Sequence, residues 1–270
     1  MMHEGFAYDV RGEGETLLLV NGIGSSREAW ALQIDDLAAR FRVITLDNRG
    51  VGESPVTPGP YTTRQMADDA ARVVRALGVT RTHVMGVSMG GTIAQELALA
   101  HPDLVDRLAI VCSWPACDRY LERCFRILRH LAVTEGPKGT GWSLAMRQFL
   151  GLIAYARDDF ANAYDIIEAG EKNAAAAIAA GKEQKWEGFV AQADACLAHD
   201  TRSRLGEIAS PTLLLAGDAD NFTPLHLSEA LAAAIPGSRL DVMAGCGHVM
   251  FYERPAEFNA RIAAFLSGTG

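Results

Sequence analysis

Short apolar segments without polar alternation recur through the first 113 residues and separate stretches with helical periodicity. These segments are TLLLVN, RVITLD, THVMG and RLAIVCS, at residues 16–21, 42–47, 82–86 and 107–113. Strands that are buried on both faces show this continuous apolar pattern. Between the segments, apolar residues recur at three- and four-residue spacing at residues 27–40, 62–77 and 89–100, which predicts helices. This alternation predicts an α/β fold with a mostly parallel sheet and helices on both of its faces.

The alternation stops at about residue 114 and resumes at residue 211. Strand and helix patterns return at residues 211–218, 226–235, 238–243 and 255–266. A chain of 270 residues fits one α/β domain with an insertion better than two independent domains. We therefore predict a core made of residues 1–113 and 211–270, and a helical insertion made of residues 114–210.

The charge and composition of the chain argue against several classes of partner. A net charge of −8 and the lack of any run of Lys or Arg disfavour nucleic-acid binding. The sequence contains no uncharged stretch of 18 residues, so it predicts no membrane span. The first ten residues lack the apolar part of a secretory signal. Five cysteines without a C-x-x-C pair predict reduced, mostly buried thiols in a cytoplasmic protein. The oligomeric state stays open, a homodimer included.

The segment HVMGVSMGGT, residues 83–92, places Ser88 between a predicted strand and a predicted helix. In this context G-x-S-x-G indicates a sharp strand-to-helix turn that presents the serine hydroxyl at the carboxyl edge of the sheet. Gly86, Gly90 and Gly91 leave the room that close packing around such a turn requires. The alternative is that these glycines form only a tight connection. We favour Ser88 as a nucleophile.

A serine nucleophile needs a base, because an unassisted hydroxyl is poorly reactive at neutral pH. Of the seven histidines, only His248 lies in a glycine-rich loop directly after a late predicted strand, at the same sheet edge as Ser88. Asp218 and Asp220 both follow the strand predicted at residues 211–218. Either carboxylate could orient the imidazole, and the position of Asp220 further along the loop favours it.

Four further segments, in this order along the chain, resemble the alpha/beta-hydrolase superfamily. They are LLLVNGIGSS, LDNRGVGES, AGDADNFTP and GCGHVMFYERP, at residues 17–26, 46–54, 216–224 and 245–255. The resemblance covers nearly the whole chain outside the insertion and implies the alpha/beta-hydrolase fold. It implies a catalytic triad of Ser88, Asp220 and His248, since the family spacing within the third segment selects Asp220.

The same resemblance implies an oxyanion hole formed by the backbone amides of Ile23 and Met89. Asn21 stands where many members have histidine and is expected to brace this loop. Arg49 and Glu253 are interpreted as structural residues that tie neighbouring loops together.

The resemblance is greatest to enol-lactonases, C–C bond hydrolases and perhydrolase-type esterases. The leading hypothesis is hydrolysis of a carboxylic ester or lactone through an acyl-enzyme, with no metal or organic cofactor and a small apolar or aromatic substrate. A serine at position 88 argues against haloalkane dehalogenases and epoxide hydrolases, which use a carboxylate there. Two alternatives remain: a lyase, C–C hydrolase, acyltransferase or cofactor-independent oxygenase with the same triad, and a ligand-binding protein that has kept the triad.

Helical insertions at this place in the family form a cap over the nucleophile. Trp114, Trp142 and Trp186 are the candidate substrate contacts in the insertion, and the alternative for each is a place in the core of the cap. Other aromatic residues there are Phe149, Tyr155, Phe160 and Phe189. A partly apolar cap would suit an apolar substrate and exclude bulk water.

Overall fold

A computed structural model describes residues 1–139, 141–154 and 160–269 of the chain. Its centre is an eight-stranded sheet in the order β1-β2-β4-β3-β5-β6-β7-β8. The strands are β1 (Met2–His3), β2 (Phe6–Arg11), β3 (Thr16–Val20), β4 (Arg42–Leu46), β5 (Thr82–Val87), β6 (Val105–Val111), β7 (Thr212–Gly217) and β8 (Arg239–Met243). The pairs β1–β2 and β2–β4 are antiparallel, and the other neighbours are parallel. The prediction of a mostly parallel sheet is confirmed.

Ten α-helices are present in the described residues. They are α1 (Ile34–Ala38), α2 (Thr63–Ala76), α3 (Met89–Ala100), α4 (Arg119–Glu135), α5 (Trp142–Ala154), α6 (Phe160–Ala179), α7 (Trp186–Ala198), α8 (Leu225–Ala234), α9 (Met250–Glu253) and α10 (Pro255–Leu266). The prediction of one helix over residues 27–40 was wrong, because this stretch forms a 3₁₀ turn, Arg27–Trp30, followed by the short α1. Gln33 lies between them, buried, and its side chain donates a 2.7 Å hydrogen bond to the Phe251 carbonyl.

The sheet divides the core into two apolar layers, which explains the continuous apolar runs of its strands. Along β3, Leu18 and Val20 belong to one layer, and Leu17 and Leu19 belong to the other. Helices α2, α3 and α8 contribute to the first layer, whereas α1 and α10 contribute to the second. Strands covered on both faces need apolar side chains at every position.

The described residues between β6 and β7 form four helices, α4 to α7, and no strand. An isolated antiparallel bridge pairs Ala116 with Asp200, and the Thr201 amide donates a 2.9 Å hydrogen bond to the Pro115 carbonyl. The insertion therefore leaves and rejoins the core at adjacent points. Its buried side chains, such as Phe125 and Phe189, extend the first apolar layer of the core.

Candidate active site

The turn that carries Ser88 joins β5 to α3 and has strained backbone geometry. Ser88 has φ 58° and ψ −121°, which non-glycine residues rarely adopt. A β-carbon on Gly86 would lie 2.1 Å from the Gly90 carbonyl oxygen, and one on Gly90 would lie 2.0 Å from the Val20 carbonyl oxygen. Only glycine fits at these two positions, so the sequence motif and the strained turn require each other.

Asp220 and His248 form a buried pair on the loops that follow β7 and β8. His248 Nδ1 lies 2.8 Å from Asp220 Oδ2. Thr223 Oγ1 donates a 2.7 Å hydrogen bond to the same oxygen and lies 3.0 Å from His248 Nδ1. The backbone amides of Phe222 and Thr223 donate to Asp220 Oδ1 at 2.7 and 2.8 Å. Donors therefore reach both oxygens of the Asp220 carboxyl group, and this arrangement favours the ionised carboxylate over the neutral acid.

The balance of burial and hydrogen bonding keeps Asp220 ionised. Burial by itself would raise the pKa of this carboxyl group, but the His248 ring and the Thr223 hydrogen bonds outweigh it, so the pKa is lowered. Asp218, which the sequence left as an alternative, is exposed and accepts a 2.6 Å hydrogen bond from the Gly245 amide. It links two loops and is not part of the buried pair.

Ser88, Asp220 and His248 follow β5, β7 and β8, which run parallel within one sheet. Their loops therefore leave the sheet at the same edge. Ser88 and His248 are both buried. Within the described part of the chain, no hydrogen bond joins the Ser88 hydroxyl to the imidazole of His248, whose Nδ1 faces Asp220 and Thr223. Hydrogen bonds between catalytic groups are often long before substrate binds and shorten in the complex.

The loop after β3 passes directly beside Ser88. A β-carbon on Gly22 would lie 3.3 Å from Ser88 Cβ. Asn21 donates a 3.3 Å hydrogen bond to the Leu46 carbonyl and accepts one of 3.0 Å on its own carbonyl from Asn48. These two bonds brace the start of the loop that carries Ile23.

Met89 is the first residue of α3, directly after Ser88. The first amides of an α-helix have no partner inside the helix, and they point toward its N-terminal end. The Met89 amide thus lies at the end of the helix nearest to the serine.

Arg49 and Glu253 hold loops around the site, as the sequence predicted. Arg49 forms a two-pronged ion pair with Asp69, with N–O distances of 2.6 and 2.7 Å, and also donates to Thr57. Both oxygens of Glu253 lie within 3.1 Å of the Gly247 amide, next to His248. Neither side chain is required to touch a substrate to explain its position.

The insertion makes a hydrogen bond to each of three loops at this edge. The Ala154 carbonyl at the end of α5 accepts a 2.8 Å hydrogen bond from the His248 amide. Tyr120 of α4 donates to the carbonyl of Asn221, next to Asp220. Gln192 of α7 accepts a 3.0 Å hydrogen bond from the Gly24 amide, next to Ile23. The insertion is therefore anchored to the loops that carry the candidate site residues.

A model of the family described as "Alpha/beta hydrolase family" matches residues 17–261. The chain belongs to the alpha/beta hydrolase family. The predicted fold and family are thereby confirmed, and the chain is grouped with hydrolases. None of the helices in the described part of this hydrolase is long and apolar enough to cross a membrane.

Relatives of this hydrolase match over nearly their whole length. RutD of Azorhizobium caulinodans, named as a proposed carbamate hydrolase, is 34% identical over 96% of this chain and 93% of its own. An esterase from Thermogutta terrifontis has a similar structure, with a TM-score of 0.85, 28% identity, and coverage of 98% of this chain and 93% of its own. The enol-lactonase from Burkholderia xenovorans has a TM-score of 0.81, 25% identity, and coverage of 97% and 96%.

The three tryptophans proposed as substrate contacts of the hydrolase occupy different places. Trp142 donates a 3.2 Å hydrogen bond to the Gln184 carbonyl and stands edge-on to Phe189, and Trp186 packs against Gly136. These contacts lie within the insertion, which favours a role in the core of the cap for Trp142 and Trp186. Their role in substrate binding stays a prediction. Tyr155 and the Phe160 side chain lie outside the described residues.

Trp114 lies nearer to the candidate triad of the hydrolase through a row of aromatic rings. Its ring centroid is 5.2 Å from that of Phe125, which is 5.5 Å from Phe222, which is 5.0 Å from His248. Sequence reasoning missed Phe222, Thr223 and Gln192. Thr223 carried one signal, because a hydroxyl three residues after an aspartate commonly bonds to it in a turn.

Cys112 lies close to two members of the candidate triad. Donor atoms of Cys112, Asp220 and His248 lie within 4.8 Å of one another, as the ligands of a metal ion could. Burial, followed by the charge of Asp220, raises the pKa of the Cys112 thiol well above its usual range. A metal ion would have to deprotonate this thiol and displace the hydrogen bond between Asp220 and His248, so the donor set fits a metal poorly.

Proposed function

We propose that this protein is a serine hydrolase in which Ser88 is the nucleophile, His248 the general base and Asp220 the residue that orients the imidazole. The observation that carries the proposal is the buried pair of Asp220 and His248, 2.8 Å apart, on the same sheet edge as the strained Ser88 turn. The carboxylate fixes the ring with Nδ1 protonated, which leaves Nε2 free to accept a proton.

The reaction begins when Ser88 Oγ attacks the substrate carbonyl and its proton passes to His248 Nε2. The negative charge that develops on the carbonyl oxygen is stabilised by the amides of Ile23 and Met89. Collapse of the tetrahedral intermediate breaks the bond to the leaving group, which takes the proton from His248. Water, activated by the same imidazole, then attacks the acyl-enzyme, and the acid and free Ser88 are released.

The substrate class that we propose is a small carboxylic ester or lactone, with an apolar or aromatic acyl part. The esterase and enol-lactonase with similar structures support this class. A carbamate is the second candidate, because eight relatives of 31–34% identity are named as proposed carbamate hydrolases. The same attack on a planar carbonyl serves both classes.

The test combines labelling with turnover. A fluorophosphonate probe reports an activated serine, so we expect it to label the wild type at Ser88, with the site located by mass spectrometry of the labelled peptide. Hydrolysis of p-nitrophenyl acetate, p-nitrophenyl butyrate, a lactone panel and a carbamate panel is then compared between the wild type and Ser88→Ala. We expect turnover that Ser88→Ala abolishes.

The remaining outcomes separate the other hypotheses. Preference for carbamates over esters would assign the second candidate. Labelling of Ser88 without turnover of any panel would favour a lyase, acyltransferase or oxygenase with the same triad. Absence of both labelling and turnover would overturn the proposal in favour of a ligand-binding protein.

A further inference from the structure

Gln192 connects the insertion to two loops of the core at once. Its side-chain Oε1 accepts a 3.0 Å hydrogen bond from the Gly24 amide, and its Nε2 donates a 2.8 Å hydrogen bond to the Arg49 carbonyl. The side chain is fully buried. The two partners fix the orientation of the amide, because the opposite orientation would set donor against donor and acceptor against acceptor.

The first turns of α7 are held firmly against the core, which makes Gln192 a rigid support. A β-carbon on Gly188 would lie 2.3 Å from the Gly50 carbonyl oxygen, so the two backbones are in direct contact. Gln184 donates a 3.0 Å hydrogen bond to the same Gly50 carbonyl. The Phe189 ring lies against Gly24. Gln192 therefore projects from a helix that has little freedom to shift.

The hydrogen bond between Gln192 and the Gly24 amide matters because Gly24 directly follows Ile23. Gly22 abuts Ser88 on one side of Ile23, and Gln192 holds the Gly24 amide on the other side. The peptide groups before and after Ile23 are thus both constrained, and the direction of the Ile23 amide is determined by them. An oxyanion hole is effective only when its donors are oriented before the charge develops.

We propose that Gln192 is a positioning residue that orients the Ile23 amide toward the oxyanion through its hydrogen bond to Gly24. This inference rests on the proposed function and deepens it. It implies that α7 serves as a fixed support for the loop that carries Ile23.

The first measurement tests the hydrogen bond without relying on turnover. Gln192→Met keeps the length and approximate shape of the side chain and removes both hydrogen bonds. We expect hydrogen exchange at the Gly24 amide to become at least tenfold faster than in the wild type. Gln95→Met is the matched control, because Gln95 is equally buried and its side chain bonds to the Trp114 carbonyl and the Thr201 hydroxyl, not to Gly24. It should leave exchange at Gly24 within about twofold of the wild type.

The second measurement tests the consequence for catalysis. In Gln192→Met we expect kcat to fall about 10- to 100-fold with KM within twofold, because an oxyanion contact acts mainly in the transition state. Inhibition by a trifluoromethyl ketone, whose adduct with Ser88 places an oxyanion in the same position, should weaken by a similar factor. Gln95→Met should change neither quantity by more than about twofold.

A conservative variant gives a signature that a purely structural role would not produce. The protonated side chain of Gln192→Glu can accept from Gly24 and donate to the Arg49 carbonyl, whereas the carboxylate cannot donate. The ratio of its kcat/KM to that of the wild type should therefore rise as pH is lowered, and taking the ratio cancels any pH dependence that the two enzymes share.

Three results would overturn the inference: Gly24 exchange unchanged in Gln192→Met, faster exchange with unchanged kcat, or an equal loss of kcat in Gln95→Met. Failure of the proposed function has a different signature. In that case the wild type itself turns over no panel substrate and is not labelled, whereas the exchange measurement still reports on the hydrogen bond.

Discussion

The hydroxyl of Thr223 donates a 2.7 Å hydrogen bond to Asp220 Oδ2, the same oxygen that faces His248 Nδ1. The threonine therefore holds the carboxylate in the plane that the imidazole needs. A triad carboxylate works by fixing the orientation of the ring and by stabilising its charged form. In the proposed mechanism, the support of Asp220 is thus part of the catalytic arrangement.

Thr223→Val should lower kcat about tenfold, because the carboxylate loses a donor and rotates more freely. The free energy of unfolding should fall by about 1–3 kcal/mol, as expected for a buried hydrogen bond to a charged group. Steady-state kinetics and denaturant unfolding measure the two effects. Thr223→Ser retains the hydroxyl and should stay close to the wild type, and an equal loss in Thr223→Ser would contradict the assignment.

The two aspartates that follow β7 should differ strongly in their effect on catalysis. Asp220→Asn should lower kcat by about 10²- to 10⁴-fold, because an asparagine amide holds the imidazole in the wrong tautomer. Asp218→Asn retains an acceptor for the Gly245 amide and should keep kcat within about twofold. The measurement is kcat of the two variants with one chromogenic ester. Similar losses of kcat in both would refute the assignment of Asp220 as the residue that orients the imidazole.

Burial of His199 should make the stability of the protein depend on pH. The side chain bonds to Thr63 at 2.9 Å, and burial lowers its pKa from 6.5 to about 3. The unfolded chain therefore binds a proton below pH 6.5 that the folded protein does not. This contribution leaves stability unchanged above that pH and reduces it by up to about 1.4 kcal/mol per unit as pH falls toward 3.

Denaturant unfolding between pH 4 and pH 8 tests this expectation. His199→Gln should flatten the slope below pH 6.5, whereas His130→Gln, at an exposed position of α4, should not. The comparison uses slopes and not absolute stabilities, because the loss of the hydrogen bond to Thr63 lowers stability at every pH. Equal slopes in the wild type and His199→Gln would show that His199 is not the group responsible.

The packing around the nucleophile turn predicts that Gly86→Ala is among the most damaging single-methyl additions. The new β-carbon would overlap the Gly90 carbonyl oxygen, so the backbone would have to move. We expect the free energy of unfolding to fall by more than about 3 kcal/mol. Gly206→Ala is the control, since nothing lies within 4 Å of its β-carbon position. Its stability should change by less than about 1 kcal/mol. Similar thermal unfolding temperatures for the two variants would contradict the packing argument.

The sequence predicted the elements whose pattern is local. Strands β3 to β7 follow from mainly apolar runs, and α3 and α10 begin and end where their periodicity does. Strand β2, which lies between the edge strand β1 and β4, was missed because three consecutive buried residues, Phe6, Ala7 and Tyr8, are followed by the sequence Asp-Val-Arg. This pattern is neither a continuous apolar run nor a strict alternation. The burial of β2 depends on pairing with β4, which a short window of sequence does not contain.

The candidate site divides in the same way. Ser88 and His248 stand in motifs with special backbone requirements, and such requirements are visible in the sequence as glycines. Gln192 carries no such mark, because a glutamine within a helix is common and its partner Gly24 is 168 positions away. Trp142 and Trp186 show a limit of reasoning from composition, because an aromatic residue in an insertion has as much reason to pack as to bind, and their role in substrate binding stays a prediction.

The neck formed by the Ala116–Asp200 bridge has a consequence for how this scaffold diversifies. Because the polypeptide departs and returns through neighbouring backbone positions, everything from residue 117 to residue 199 can be exchanged as one cassette without altering the register of β6 and β7. Such an exchange must replace the contacts of Gln184 and Gln192 with Gly50 and Gly24, together with the hydrogen bonds that Ala154 and Tyr120 make to loops of the core. Chimeras made at these borders, with and without both glutamines, would separate the effect of the exchanged segment on substrate recognition from its effect on the position of the core loops.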